Sequence, residues 1–258
     1  MPKTTSSLMS ALNLAGRELI ATVGAGGKTT FGFRLAQAAA GMGKRVISTT
    51  TTKVRYEEGA RYPRLIQVSA GTPVVEAAIK GIETSRSVFL AGGRLASGKL
   101  SGILPTQADR LFRESTADYV IAEADGAAGL PLKAPAAEEP VIPSDTTTVI
   151  ALMGLEVLGR PLAPQWVFRM AAFERLTGLR PGQPIGASAI LNVFQAPEGL
   201  FKGAPTTATK IAFMNKCDQC TDLREARRIG AMLIHHSPGG VKRVIIGSLE
   251  KGIYETIG

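Results

Sequence analysis

Residues Glu18–Gln37 read ELIATVGAGGKTTFGFRLAQ and combine an apolar strand pattern, a glycine-rich turn and a helical pattern. A strand, a glycine turn and a helix in this order are the context that a phosphate-binding loop requires. Glycines let the backbone approach phosphates closely, and the start of the helix adds positive potential. The predicted nucleotide cradle comprises Gly24, Ala25, Gly26, Gly27, Lys28, Thr29 and Thr30.

Two residues of the cradle have predicted chemical roles. Lys28 is expected to reach the terminal phosphates as a catalytic residue, and the Thr29 hydroxyl to bind Mg²⁺. The loop is a variant, because Thr22 stands six positions before Lys28, where the common loop has glycine. A structural glycine turn is the alternative, so a second nucleotide-reading motif is needed.

The stretch KIAFMNKCDQ supplies a candidate second motif, in which an apolar strand ends in Asn215, Lys216, Cys217 and Asp218. Asn-Lys-x-Asp after a strand resembles the guanine-specificity element of GTPases. A carboxylate at Asp218 would accept hydrogen bonds from the ring N–H and the exocyclic amine of guanine, which adenine cannot both supply. Lys216 would cover the base and Asn215 would tie the loop to the phosphate cradle. An ordinary turn followed by a helix cap is the alternative.

A later turn in VIIGSLE places Gly247 and Ser248 after the last apolar strand. We expect their backbone N–H groups to contact the oxygen of the base, as in GTPases.

The stretch DYVIAEADGAAGLPLK delivers Glu123 and Asp125 to the end of a buried strand. Ligands of open α/β sheets bind at that edge. Both carboxylates are predicted catalytic and Mg²⁺-binding candidates, and the sequence does not decide which one coordinates. Thr51, in the run Thr49–Thr52, is a further candidate for the metal shell, with β propensity and capping as the alternative. Lys133 and the segment Ala91–Gly102 offer cations for a second, anionic substrate.

Apolar β-rich runs alternate with helical patterns along the chain, which predicts a three-layer α/β architecture with a mostly parallel sheet. The strand-like runs are Leu19–Val23, Arg45–Ser48, Leu65–Val68, Val88–Leu90, Tyr119–Ala122, Thr148–Leu152, Ile211–Met214 and Val244–Ile246. The helical patterns are Thr29–Ala40, Val74–Ile82, Gln107–Arg113, Phe168–Leu176, Ala187–Phe194 and Leu223–Ile234. We expect one P-loop NTPase-like domain over residues 1–258, with a small helical insert at about 154–195. The proline-rich stretch Leu130–Ser144 predicts an irregular loop.

Composition narrows the function classes. The chain has 258 residues, a net charge of +9 and 5% aromatic residues. The charge favours anionic partners, and the scarcity of aromatic residues near basic tracts argues against nucleic acid. No apolar run reaches the roughly 18 residues that a membrane span needs, and two cysteines, Cys217 and Cys220, do not make a disulfide framework. We therefore expect a cytoplasmic protein with no membrane partner. The C-x-x-C pair leaves metal or redox chemistry open.

The motifs TVGAGGKTT, TTTTK, EADGAAGLPLKAPAAEEPVIP and NKCD, in this order, resemble the YqeC family. The resemblance implies a P-loop NTPase-like protein that acts in selenium or molybdenum cofactor maturation for selenium-dependent molybdenum hydroxylases. It implies as partners a hydroxylase or maturation protein and a small anionic selenium- or molybdenum-related substrate.

Three functional hypotheses follow. The first is a Mg²⁺-dependent protein that binds and hydrolyses GTP. The second is an ATP-dependent kinase or ligase that acts on a small acid bound over Lys133. The third is a non-catalytic switch or chaperone that binds nucleotide to change its affinity for a partner.

Overall fold

The computed structural model describes residues 3–5, 7–69, 71–220, 222–235 and 240–258. The strands are β1 (Lys3–Thr5), β2 (Glu18–Gly24), β3 (Val46–Thr50), β4 (Val54–Arg55), β5 (Leu65–Val68), β6 (Ser87–Gly92), β7 (Lys99–Leu100), β8 (Tyr119–Glu123), β9 (Leu132–Lys133), β10 (Thr148–Gly154), β11 (Val167–Phe168), β12 (Thr209–Asn215), β13 (Val241–Ser248) and β14 (Ile253–Ile257). The helices are α1 (Leu8–Leu12), α2 (Lys28–Gly41), α3 (Tyr56–Ala60), α4 (Val74–Thr84), α5 (Pro105–Glu114), α6 (Met170–Thr177), α7 (Ala187–Gln195) and α8 (Arg224–His235). Short 3₁₀ turns cover Leu155–Val157 and Cys217–Gln219.

Within the described ranges, ten strands form one sheet in the order β1-β14-β13-β12-β10-β2-β8-β3-β6-β5. The eight strands from β13 to β5 are parallel, and β14 and β1 add an antiparallel edge. The eight parallel strands are the eight that the sequence predicts. The architecture is α/β, as predicted, with β2 in the middle of the sheet and the glycine turn at its carboxyl end.

Helices cover both faces of the sheet, which makes three layers. Along β10, Ile150 and Leu152 pack on one face, while Val149, Ala151 and Met153 pack on the other. The first face carries α1, α2 and α3, and the second carries α4, α5, α7 and α8. Because the inner parallel strands are covered on both faces, they are mostly buried and read as apolar runs, whereas only Val68 of the edge strand β5 is buried.

The region 154–195 contains the 3₁₀ turn Leu155–Val157, β11, α6 and α7. Helix α7 buries six of its residues and packs against α8 and α6. Helix α6 is more exposed and buries Phe173 alone among its described residues. The predicted helices of this region are therefore present, and α7 belongs to the hydrophobic core on the second face of the sheet.

One expectation about the proline-rich stretch was wrong. Leu132–Lys133 forms β9, which pairs in parallel with β11. Pro131 and Pro135 flank this pair without falling inside it, so the N–H groups of Leu132 and Ala134 remain available and donate to Trp166 and Phe168. The rest of Leu130–Ser144 is irregular, as predicted.

None of the helices in the described residues has the length and apolar composition that a bilayer crossing requires.

Candidate functional site

The glycine turn after β2 packs directly on the backbone of β10. Gly24 and Gly26 have φ values of +91° and +75°, which favour glycine. A Cβ at Gly24 would lie 2.3 Å from the carbonyl oxygen of Leu152, and a Cβ at Gly26 would lie 2.2 Å from the backbone nitrogen of Gly154. Close backbone packing therefore requires both glycines, whether or not a phosphate is bound.

Three N–H groups of the turn donate to protein acceptors. Gly24 donates to Asp125 Oδ2 at 2.9 Å, Ala25 to the Leu152 carbonyl at 2.9 Å, and Gly26 to the Leu130 carbonyl at 3.0 Å. Gly24 and Ala25 are buried and do not line the pocket at the start of α2. The groups left for an anion are those at the start of α2, where no side chain caps the helix.

Lys28 is the first residue of α2, and its side chain folds back across the turn. Its Nζ donates to the Gly24 carbonyl at 2.6 Å and lies 3.1 Å from Asp125 Oδ1 and 3.9 Å from Glu123 Oε1. Burial alone would lower the pKa of Lys28, but Asp125 and Glu123 outweigh it and hold the pKa above its usual value. The ammonium is therefore charged and poised beside the helix N-terminus.

Glu123 and Thr29 form the candidate metal pair. The Thr29 hydroxyl donates to Glu123 Oε2 at 2.9 Å, and the Glu123 side chain is 20% exposed. Burial raises the pKa of Glu123, and Lys28 and Thr29 act against that rise. A hydroxyl and a carboxylate are oxygen ligands of the kind that Mg²⁺ takes, so the residues present fit this ion.

Asp125 has a different environment from Glu123. Its side chain is fully buried between two lysines, with Lys133 Nζ 2.9 Å from Oδ2 and Lys28 Nζ 3.1 Å from Oδ1. The sequence left open which carboxylate faces a metal; the geometry turns Glu123 toward the pocket and Asp125 toward the interior.

The charges continue from Asp125 into the proline-rich stretch. Lys133 is fully buried and bonds the Gly126 carbonyl at 2.6 Å and Glu139 Oε2 at 2.5 Å. Arg169 binds both carboxylate oxygens of Glu139. Burial works to raise the pKa of Glu139, but hydrogen bonds from Arg169 and Lys133 outweigh it and lower the pKa to about 2. Asp125 and Glu139 balance the charge of Lys133, and its side chain is not exposed. This is contrary to the expectation that an acid binds over Lys133.

Asn215 connects three loops. Its Nδ2 donates to the Gly26 carbonyl at 2.8 Å, and its Oδ1 accepts from the backbone N–H of Leu249 at 3.1 Å. Lys216 follows in the left-handed region at φ +63°, and its ammonium pairs with Glu156. Asp218 is exposed, and its carboxylate has no partner among the described residues. The amide thus makes the tie that the motif predicts, while the carboxylate is free to accept.

Eight predicted site residues do not line the pocket at the start of α2: Gly24, Ala25, Thr51, Asp125, Asn215, Asp218, Gly247 and Ser248. Gly247 and Ser248 are buried at the end of β13, where Gly247 pairs with Tyr254 of β14. The Thr51 hydroxyl donates to the Val141 carbonyl at 2.8 Å, so it supports the proline-rich stretch. Cys217 is buried, Cys220 is partly buried, and both thiols are free.

The residues around the start of α2 enclose a pocket of about 350 Å³. One wall is Gly26–Thr30, a second is the turn Gly126–Leu130, and a third is made by β4, Glu58 and Lys99. Within the described residues its charged lining is Lys28, Lys53, Arg55, Lys99, Lys216, Glu58 and Glu123. Cations predominate, and the volume is within the range of small-molecule sites.

Sequence reasoning missed Glu139, Arg169, Glu156 and Arg55. Glu139 and Arg169 are 30 residues apart in the chain and meet only because β9 pairs with β11. Arg55 lies on a two-residue strand, which is too short to show periodicity. An acid within a proline-rich stretch was the one available signal for Glu139.

Comparison with known proteins gives three similarities. The sequence model of a family described as "YqeC protein" matches residues 20–171, which is more than half of the chain. The chain is 32% identical over 208 residues to "Uncharacterized protein YqeC" of Escherichia coli (strain K12), covering 78% of this chain and 77% of that protein. The crystal structure of the signal recognition particle 54 kDa protein from Aeropyrum pernix K1 in complex with GDP is similar over 94% of this chain, with a TM-score of 0.43 and 16% identity. The chain spans 44% of the length of that protein.

Proposed function

The chain belongs to the YqeC family, and we propose that it is a Mg²⁺-dependent protein that binds GTP and hydrolyses it. The observation that carries the proposal is the Asn215 amide. It bonds the Gly26 carbonyl of the phosphate loop and the Leu249 N–H of the loop after β13. This contact brings a strand-end Asn-Lys-x-Asp sequence against a Gly-Lys-Thr loop, which is what a guanine-nucleotide site needs.

In this proposal the chain's residues act by position and charge. Lys28 and the N–H groups at the start of α2 hold the phosphates, and their charge is fixed before the nucleotide arrives. Thr29 and Glu123 hold Mg²⁺, which neutralises developing charge on the phosphates when bound. Asp125 positions Lys28 through the buried ion pair and does not contact the metal.

Asp218 reads the base. Its exposed carboxylate accepts from the ring N–H and the amine of guanine, and Lys216 covers the base beside the pocket. A site built to accept two donors discriminates strongly against a base that cannot supply both.

We place this activity in the maturation of a selenium- or molybdenum-containing cofactor for a molybdenum hydroxylase in the cytoplasm, which the resemblance to the YqeC family implies. The partners would be a hydroxylase or a maturation protein, and nucleotide turnover would drive or gate the delivery step.

A kinase or ligase is the second candidate, and the cationic wall at Arg55 and Lys99 favours it because a second anionic substrate has a place there. The test for both is calorimetric titration of the purified protein with GTP and ATP in Mg²⁺, with hydrolysis followed as phosphate release. It is repeated on Asp218→Ala and on Glu250→Ala, an exposed carboxylate on the neighbouring loop. GTP binding that is lost only in Asp218→Ala supports the proposal. ATP binding that ignores Asp218, with turnover stimulated by a small acid, favours the second candidate.

A further inference from the structure

The wall opposite the phosphate loop is a two-stranded antiparallel sheet made by β4 and β7. Val54 pairs with Leu100, and Arg55 pairs directly with Lys99. Like charges directly opposite each other across an antiparallel pair destabilise it. The repulsion between Arg55 and Lys99 therefore destabilises the pairing of β4 with β7.

Buried neighbours fix the position of these cations. Val54 and Leu100 are 4% and 0% exposed and belong to the core on the first face of the sheet. The following segment is bonded to the sheet, since Ile103 donates to the Thr50 carbonyl at 2.9 Å. Gly102 lies so close to the backbone of Thr51 that a Cβ there would approach within 2.4 Å. These contacts hold the strand pair in place, and the side chains of Arg55 and Lys99 line the pocket.

The cations of this wall lack carboxylate partners. In the described part of the chain, no ion pair involves Lys53, Arg55 or Lys99. Some exposed arginines elsewhere are paired with carboxylates, as Arg110 is with Glu114 and Arg227 with Glu255, while others such as Arg175 and Arg180 have no such pair within the described residues. Glu58 lines the same pocket, but its Oε2 accepts from the backbone N–H of Arg55 at the start of α3. Positive charge without a carboxylate partner is thus concentrated on this wall of the pocket.

We propose that Lys53, Arg55 and Lys99 bind a second anion, a small molecule that carries a phosphate or carboxylate group, beside the nucleotide. The inference rests on the proposed function, because it assigns the nucleotide phosphates to Lys28 and the start of α2 on the facing wall. The second anion neutralises the Arg55–Lys99 pair, and the arginine fork and the two ammonium groups supply the charge-assisted hydrogen bonds.

The test uses the full-length protein loaded with Mg²⁺ and a non-hydrolysable GTP analogue, so that the γ-phosphate position is filled. Inorganic phosphate and succinate are titrated separately into this complex by calorimetry, which distinguishes a phosphate from a carboxylate ligand. The same titrations are made on the double variant Arg55→Met/Lys99→Met. Arg94→Met is the matched control, because Arg94 stacks on Tyr56 beside the same strands and does not line the pocket.

We expect one of the two anions to bind the loaded wild-type protein and Arg94→Met, and the double variant to lose about tenfold or more in affinity, equivalent to about 1.4 kcal/mol. Affinity for the analogue should stay within about threefold in the double variant, equivalent to about 0.6 kcal/mol, since exposed charges away from the nucleotide phosphates are screened by solvent. The inference is overturned if neither anion binds the loaded protein and the double variant instead loses the analogue. That result would mean that Arg55 and Lys99 bind the γ-phosphate of the nucleotide. If the analogue fails to bind wild-type protein, the proposed function is wrong, and the anion titrations into unloaded protein decide the inference by the same comparison of variants.

Discussion

Lys28 Nζ lies 3.1 Å from Asp125 Oδ1, and both side chains are buried. Asp125 therefore fixes the position of the Lys28 ammonium, and the same carboxylate also binds Lys133. This arrangement separates the two strand-end acids by function. Glu123 faces the pocket with Thr29, while Asp125 supports the lysine.

The first prediction concerns Asp125. Asp125→Asn leaves Lys28 and Lys133 buried without the carboxylate between them, so we expect the free energy of unfolding to fall by about 3–5 kcal/mol. Lys133→Met is the graded control, because Asp125 keeps Lys28 and Glu139 keeps Arg169. Urea unfolding of both variants checks this. Equal losses for the two substitutions would mean that Asp125 is not the centre of the network.

The second prediction concerns the glycine turn. Gly26→Ala places a Cβ against the backbone of Gly154 and keeps a positive φ, so we expect the protein without nucleotide to lose about 3 kcal/mol or more. Gly43→Ala is the control, since Gly43 has φ +82° but no atom near the position of the added Cβ. It reports the backbone strain alone, about 1–2 kcal/mol. Similar melting temperatures for the two variants would rule out the packing argument.

The third prediction concerns pH. The pKa of Glu139 is lowered from 4.5 to about 2 by Arg169 and Lys133, against the effect of burial. Its contribution to stability is therefore complete above the unfolded pKa and is lost as the pH falls through the folded pKa. Denaturant unfolding between pH values of about 5 and about 2.5 should show this loss, and Glu139→Gln should flatten the dependence. The exposed neighbour Glu138 provides the control, Glu138→Gln, which should retain the wild-type slope.

The fourth prediction separates Asn215 from Asp218. Asn215→Ala leaves the Leu249 N–H and the Gly26 carbonyl without partners in a buried place, and should cost about 1–3 kcal/mol of stability. Asp218→Ala removes an exposed, unpaired carboxylate and should change stability by less than about 0.5 kcal/mol. Thermal unfolding without nucleotide distinguishes them. A large loss in Asp218→Ala would show that this carboxylate has a structural role.

Much of the fold follows from the sequence, because buried parallel strands read as apolar runs and their helices as 3.6-residue patterns. Strand β14 was missed because Ile253–Ile257 is mixed in polarity and only partly buried, although it pairs with β1 and β13. Strands β4 and β9 are two residues long and carry no pattern at all. Proline content alone predicted a loop where Leu132–Lys133 pairs with another short strand.

Part of the candidate site could also be predicted from the order of the strands. Cradle residues and Asn215 are adjacent to strand ends, so the topology of an α/β sheet brings them to one edge. The ion-pair chain through Lys133, Glu139 and Arg169 depends on how a long loop folds, and no local pattern encodes that. Whether Glu123 or Asp125 faces the pocket also depends on the backbone direction after β8, which alternation along the strand does not fix once the strand has ended.

Calorimetric titration of Mg²⁺ and a non-hydrolysable GTP analogue into wild-type protein and Lys28→Met tests whether this pocket binds a nucleoside triphosphate through Lys28. Methionine keeps the length of the buried stem and removes the charge. We expect one site per chain in the wild type and a loss of affinity of about a hundredfold or more in the variant, which corresponds to about 2.7 kcal/mol for a charge-assisted contact. Equal affinity in the two proteins, or no binding to a folded wild type, would show that Lys28 does not bind nucleotide phosphates in this pocket.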